Sequence, residues 1–198
     1  MKTARPLVAI RHGPTDWNEA GRMQGRCDRP LSPAGRRAVE AWRLDKVAHS
    51  YRWLTSPLSR ARQTAALLGH PDAQPEPALI ETDWGDWEGR TLAELRAEQG
   101  AEMAAREARG LDFRPPNGES PREVQARLRP FLSRLSEHPG GTVAVCHKGV
   151  IRALYALATG WDMTEDAPVK LRSDAAQIFE VAPGGALQVE QLNRPLAP

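Results

Sequence analysis

Cysteine is scarce: Cys27 and Cys146 are the only two in 198 residues. Two cysteines build no disulfide framework. Each reads as a small buried apolar residue, in keeping with a reducing compartment, and neither predicts a metal site. Long apolar runs are also missing. The N-terminal one, residues 7–10 after Lys2 and Arg5, is too short for a signal-peptide core or a membrane span. Charge of one sign is not in excess, since 27 Lys and Arg against 25 Asp and Glu leave a net charge of +2 with no basic run to track a nucleic-acid backbone. No repeat or low-complexity tract stands out. These absences argue against export, a membrane and a nucleic-acid partner, and lead us to expect a cytoplasmic protein. A 40% apolar fraction is enough for one substantial core.

What is present is an alternation of strand and helix patterns. Residues 7–10, 53–55 and 142–146 read as buried strands, and Leu79 and Ile80 as the end of another. Three helix starts share one signature: Ser32-Pro33, Ser56-Pro57 and Ser120-Pro121. The serine hydroxyl accepts a free amide hydrogen and proline forfeits a donor that would be unpaired anyway. Glu123 completes a capping box in the third. Apolar residues recur at helical spacing behind two of these starts: Leu58, Ala61, Ala65 and Leu68, then Val124, Leu128, Phe131, Leu132 and Leu135. Strands followed by helices predict a layered α/β fold with a mostly parallel sheet. Residues 177–181 and 187–192, separated by Pro183-Gly184-Gly185, predict a closing hairpin.

Five histidines divide on this map. His49, His70 and His138 fall near helix ends, where a histidine can bond the last carbonyls. His12 and His147 instead follow predicted strands, the edge at which open α/β sheets bind ligands. Arg11 adjoins His12, an arrangement that a bound anion would favour. Arg60 is expected about one turn into the helix begun by Ser56-Pro57, where the dipole also favours an anion.

With those residues in place, Arg11-His12-Gly13-Pro14-Thr15-Asp16-Trp17-Asn18 resembles the opening signature of the histidine phosphatase superfamily, which includes the phosphoglycerate mutases. Further blocks resemble it in the same order: Gly21-Arg22-Met23-Gln24-Gly25, Asp28-Arg29-Pro30-Leu31-Ser32, and Ser56 to Ala65 around Arg60. Then come Leu79-Ile80-Glu81 with Gly85-Asp86-Trp87-Glu88-Gly89, Asn117-Gly118-Glu119-Ser120, and Cys146-His147-Lys148-Gly149. The resemblance implies a phosphoglycerate mutase-like three-layer sandwich, its mostly parallel central sheet flanked by helices. It further implies one domain over residues 1–198, with a small pocket-covering insertion at about 83–118. The implied catalytic set is His12 as nucleophile, Glu81 as proton donor, and Arg11, Arg60 and His147. Arg11, Asn18, Gln24, Gly25, Arg60 and His147 would bind substrate. No metal or cofactor is implied, and the expected partner is a small phosphorylated metabolite, with a homodimer left open.

Three departures matter. Pro14 stands where the family often has Glu or Gln, and Lys148 where glycine is common. Lys148 reads as facing solvent rather than substrate. The short 91–114 stretch and the tail Arg194-Pro195-Leu196-Ala197-Pro198 offer less to close over a site than a mutase has, so a phosphatase is expected ahead of a mutase. Two other readings compete: a thiolate phosphatase using Cys146 and Arg152, whose five-residue separation matches that loop, and a non-catalytic binder of a phospho-ligand. Glu81 argues against the binder, because binding alone needs no proton donor.

Overall fold

A computed structural model describes residues 5–196; Lys2 and the Ala197-Pro198 end of the tail lie outside them. In chain order the elements are β1 (Arg5–Arg11), α1 (Asp16–Glu19), α2 (Pro33–Glu40), β2 (Arg52–Thr55), α3 (Ser59–Leu67), β3 (Gln74–Pro75), α4 (Leu92–Gln99), α5 (Ala101–Glu107), α6 (Pro121–Glu137), β4 (Thr142–Cys146), α7 (Lys148–Thr159), β5 (Ala175–Val181) and β6 (Leu187–Pro195). Among them no helix is long and apolar enough to cross a membrane.

Period-two alternation builds the layers. Leu7 and Ala9 of β1 join Ala144 and Cys146 of β4 in one apolar cluster with α6 and α7. Val8 and Ile10 join Val143 and Val145 in a second cluster with Val39 of α2 and Ala61 and Ala65 of α3. A strand apolar on both faces needs helices on both faces, and that gives three layers. The apolar stripe of α6, Val124 to Leu135, is buried as its spacing predicts.

The strands lie in the order β3-β2-β4-β1-β5-β6. The first four run parallel, β5 pairs antiparallel with β1, and β6 returns antiparallel to β5 as the expected hairpin. β1 and β4 are neighbours, yet the chain leaves β1 toward the α2 face and leaves β4 toward the α7 face. A crevice must open between their C-terminal ends, where ligands bind in such sheets. A smaller cluster, Trp87, Leu95 and Met103, stands apart from both faces with Met23, Trp84 and Phe113 against it.

Two expectations fail locally. Leu79 and Ile80 do not end a strand: Pro77 opens a 3-10 turn, Pro77–Leu79, whose Ala78 amide is taken by the Glu76 side chain. Leu79 is fully buried all the same, so its apolar signal reflects packing rather than pairing. Ser56-Pro57 does not start α3 either, which begins at Ser59. The Ser56 amide prolongs the sheet by donating to the Val145 carbonyl, and the Ser59 amide goes to Asp28 Oδ1.

Candidate active site

Each strand-end histidine is fixed by its backbone before its side chain is considered. The His12 amide donates to the Cys146 carbonyl at 3.0 Å, continuing the β1–β4 ladder one residue past the strand. His147 is the N-cap of α7. The two rings face each other across the crevice with centroids 5.1 Å apart, and both side chains are buried.

Their hydrogen bonds orient both rings and, for His12, place the proton. His12 Nδ1 lies 2.6 Å from the Gly13 carbonyl, which can only accept, so Nδ1 holds the proton and Nε2 presents a lone pair. His147 Nε2 lies 2.7 Å from Ser56 Oγ, and that oxygen already accepts the Leu58 amide. A hydroxyl oxygen can accept twice and donate once, so this contact holds the His147 ring in place with either nitrogen carrying the proton. Burial first, and then the charges of Arg11 and Arg60, hold the His12 pKa well below the ordinary histidine range. Burial does the same for His147, helped by His12, Arg60, Arg11 and Arg127.

The cations reach the crevice from separate parts of the chain. Arg60, second residue of α3, is wholly buried; its terminal nitrogens donate to the carbonyls of Cys27 at 3.0 Å and Gly25 at 2.7 Å. This pins the 24–28 loop to α3, and Glu88 braces the same loop by accepting the amides of Arg26 and Cys27. Glu88 is thereby committed to structure, not to proton transfer. Gly25 has φ +51°, and a Cβ there would lie 1.9 Å from Glu88 Oε1. Gln24 accepts the Thr15 hydroxyl at 3.1 Å. Asn18 spends its side-chain oxygen on the Thr15 amide in the α1 capping box.

Buried side-chain nitrogens without a partner among the described residues collect here: the donors Arg11 Nε, Arg60 Nε and Gln24 Nε2, and with them His147 Nδ1. An unsatisfied buried donor costs about 1–3 kcal/mol, and several around one crevice fit an oxygen-rich anion. Glu81 supplies the carboxylate, 8% exposed, held by the Gly149 amide at 3.1 Å in the first turn of α7. Its charge acts on both Arg11 and Arg60. A Cβ at Gly149 would lie 2.5 Å from that carboxylate, so glycine permits the approach. No group of three or more His, Cys, Asp or Glu among the described residues could hold a metal ion. Cys146 is fully buried and its thiol is pushed up by that burial, which removes the thiolate the cysteine reading requires.

Several supporting residues carry no functional signal in the sequence. Thr64 takes the Gly13 amide at 3.0 Å, and Ser173 accepts from Arg11 Nη1. Arg127 holds Glu119 and the carbonyls of Ala78 and Ile80. Thr64 lies four residues after Arg60 on the same helix face, and that spacing is the one signal for it. Nothing local marks Ser173.

The histidine phosphatase superfamily (branch 1) model matches residues 7–194. A glucosyl-3-phosphoglycerate phosphatase of Mycobacterium tuberculosis is 39% identical over 168 residues, covering 77% of this chain and 74% of that one. A 2,3-bisphosphoglycerate-dependent phosphoglycerate mutase of Mesorhizobium japonicum is 31% identical over 191 residues, 90% and 93% of the two chains. The solved mycobacterial glucosyl-3-phosphoglycerate phosphatase in complex with VO3 superposes with a TM-score of 0.79 at 29% identity, covering 96% of this chain and all of that one. With its fold, its paired strand-end histidines and these relatives in agreement, the chain belongs to branch 1 of the histidine phosphatase superfamily.

Proposed function

We propose that the chain is a phosphatase that hydrolyses phosphate monoesters of a small phosphorylated metabolite through a phosphohistidine on His12. The observation that carries this reading is the set of acceptor-less buried donors around an imidazole whose Nε2 lone pair is free. Nε2 attacks phosphorus as the ester oxygen departs on the opposite side. Arg11, Arg60, His147 and Gln24 hold the three equatorial oxygens, over which the charge of a loose transition state is spread. Asn18 contributes through its amide nitrogen, and Gly25 through the close approach of its backbone. Glu81 gives its proton to the leaving alkoxide and then takes one from the water that opens the phosphohistidine. Residues 1–198 act as one domain, and the 83–118 segment covers the pocket and selects the substrate.

The names of the relatives favour a phosphorylated sugar or glycerate derivative. A mutase reading draws on the Mesorhizobium relative and shares every catalytic residue, differing only in whether water or a second hydroxyl receives the phosphoryl group. The deciding experiment is a panel of monoesters on wild type and His12→Ala, with trapping of the phosphoenzyme. Release of inorganic phosphate, an acid-labile phosphoenzyme, and a loss on the order of 10⁴-fold or more in the variant are expected. Dominant phosphoglycerate isomerisation would establish the mutase, and full activity in His12→Ala would refute both.

A further inference from the structure

Glu81 is held differently from the other groups of the crevice. His12 continues a strand ladder and His147 caps a helix, whereas Glu81 stands in irregular chain just past the turn Pro77–Leu79. Its carboxylate accepts the amides of Thr82 at 2.8 Å and Gly149 at 3.1 Å. Thr82 moves with Glu81, so Gly149 alone refers the carboxylate to the rest of the site, and that bond lasts only if the backbone ahead of Glu81 is fixed.

Arg127 of α6 fixes it. Nη1 donates to the Ala78 carbonyl, and Nη2 donates at 2.7 Å to the Ile80 carbonyl, part of the peptide bond that leads into Glu81. Nε and Nη2 also meet the two carboxylate oxygens of Glu119, at 2.9 and 3.2 Å. A planar fork engaged in this way is fixed in direction. The Arg127 and Glu119 side chains are 20% and 12% exposed. An ion pair buried to that extent adds little net stability beside apolar residues of the same volume, so its use is geometric. Glu119 carries the link further: Arg26, in the loop that seats Arg60, pairs with Asp83 at 3.2 Å and with Glu119 at 3.6 Å. Both flanks of Glu81, residues 78–80 and Asp83, are thus tied by alternating charges to α6 and to the 24–28 loop.

Resting on the reading of Glu81 as proton donor, we propose that Arg127, aligned by Glu119, is a positioning residue for that donor. It holds the backbone ahead of Glu81 so that the carboxylate stays within reach of the oxygen leaving from His12.

Leaving-group dependence tests this. Arg127→Met should lower kcat/KM about 10- to 100-fold on glycerol 3-phosphate, mostly in kcat, and leave p-nitrophenyl phosphate within about threefold, because that ester departs without a proton. The Arg127 charge also bears on His147, after burial, His12, Arg60 and Arg11. Arg127→Lys keeps the charge but cannot span all three acceptors, so it should show the same dependence at smaller amplitude; it also serves if the Met variant does not fold. Residue-level hydrogen exchange gives a readout without turnover. Both variants should speed exchange of the Gly149 amide, whose acceptor is Glu81, and leave the His12 amide protected. Equal losses on the two esters, or a Gly149 amide that exchanges as in wild type, overturns the proposal. Glu81→Gln run alongside is the reference: if it lacks the leaving-group dependence, the proton-donor reading fails, while exchange at Gly149 still decides whether Arg127 holds Glu81.

Discussion

The crevice between β1 and β4 and the 83–118 segment are built on different foundations. The crevice is an extension of the sheet: His12 continues a ladder, His147 caps a helix, and Arg60 is sealed beneath backbone carbonyls. The segment rests on three buried side chains, Trp87, Leu95 and Met103, with half-exposed ion pairs such as Arg96–Glu107 and Arg106–Glu102 around them. Phosphoryl transfer rewards groups fixed before the substrate arrives, and ladders and caps provide that. The segment, in its proposed role of selecting substrate, would gain from a small separate core that can change without disturbing the sheet.

The sharpest test of the crevice side is Glu81→Gln. Loss of the proton donor should lower kcat/KM about 10²- to 10⁴-fold on alkyl monoesters and much less on p-nitrophenyl phosphate, whose phenolate leaves without a proton. Equal losses on both would remove Glu81 from the acid role. Arg60→Met should come next and strike two properties together. It removes a proposed phosphate ligand and leaves the Gly25 and Cys27 carbonyls without their donor, costing about 2–4 kcal/mol in urea unfolding. Activity loss at full stability would mean that Arg60 does not tie the loop to α3.

Between pH 5 and 7 acid should act mainly on the crevice, with His70, also held below the ordinary histidine range by burial, adding in the same direction. His12 and His147 are held well below 6.5 in the folded state, whereas an unfolded chain protonates them near that value. Below pH 6.5 the unfolded state therefore binds more protons. This stability is present in full above pH 6.5 and is lost as the pH falls toward the folded values, at up to about 1.4 kcal/mol per pH unit for each histidine. Urea titrations at pH 5, 6 and 7 should show that slope, and His12→Ala should flatten it. In the same way, the acid limb of kcat/KM should fall below pH 6.5; a limb above it would show that His12 is charged in the free enzyme.

How much could be read from the sequence follows the same division. The strands, the Ser32 and Ser120 caps, the hairpin and both strand-end histidines are local signals, carried by alternation and by single capping residues. Ser56 misled because a Ser-Pro pair has two uses, and only the fold shows that its hydroxyl serves His147. Leu79 misled because burial and strand pairing leave the same apolar trace. Ser173 and Arg127 act across 162 and 47 residues, where no pattern reaches.

The smallest expected effect tests whether the two regions are separable. Met103 and Leu128 are both fully buried, but Leu128 lies in the large cluster beneath the sheet and Met103 in the small one. Leu128→Ala should cost about 2–5 kcal/mol of global stability. Met103→Ala removes comparable apolar volume from a cluster with few neighbours, which can open while the sheet stays folded. Its cost should therefore appear as faster hydrogen exchange in α4 and α5, with a shift in global Tm well below that of Leu128→Ala. Preference among natural esters should change while hydrolysis of p-nitrophenyl phosphate stays within about twofold, because that ester needs little beyond the phosphate contacts. Equal Tm losses for the two variants would make the segment part of the main cooperative unit, and its small core would then be a structural support rather than an adjustable cover.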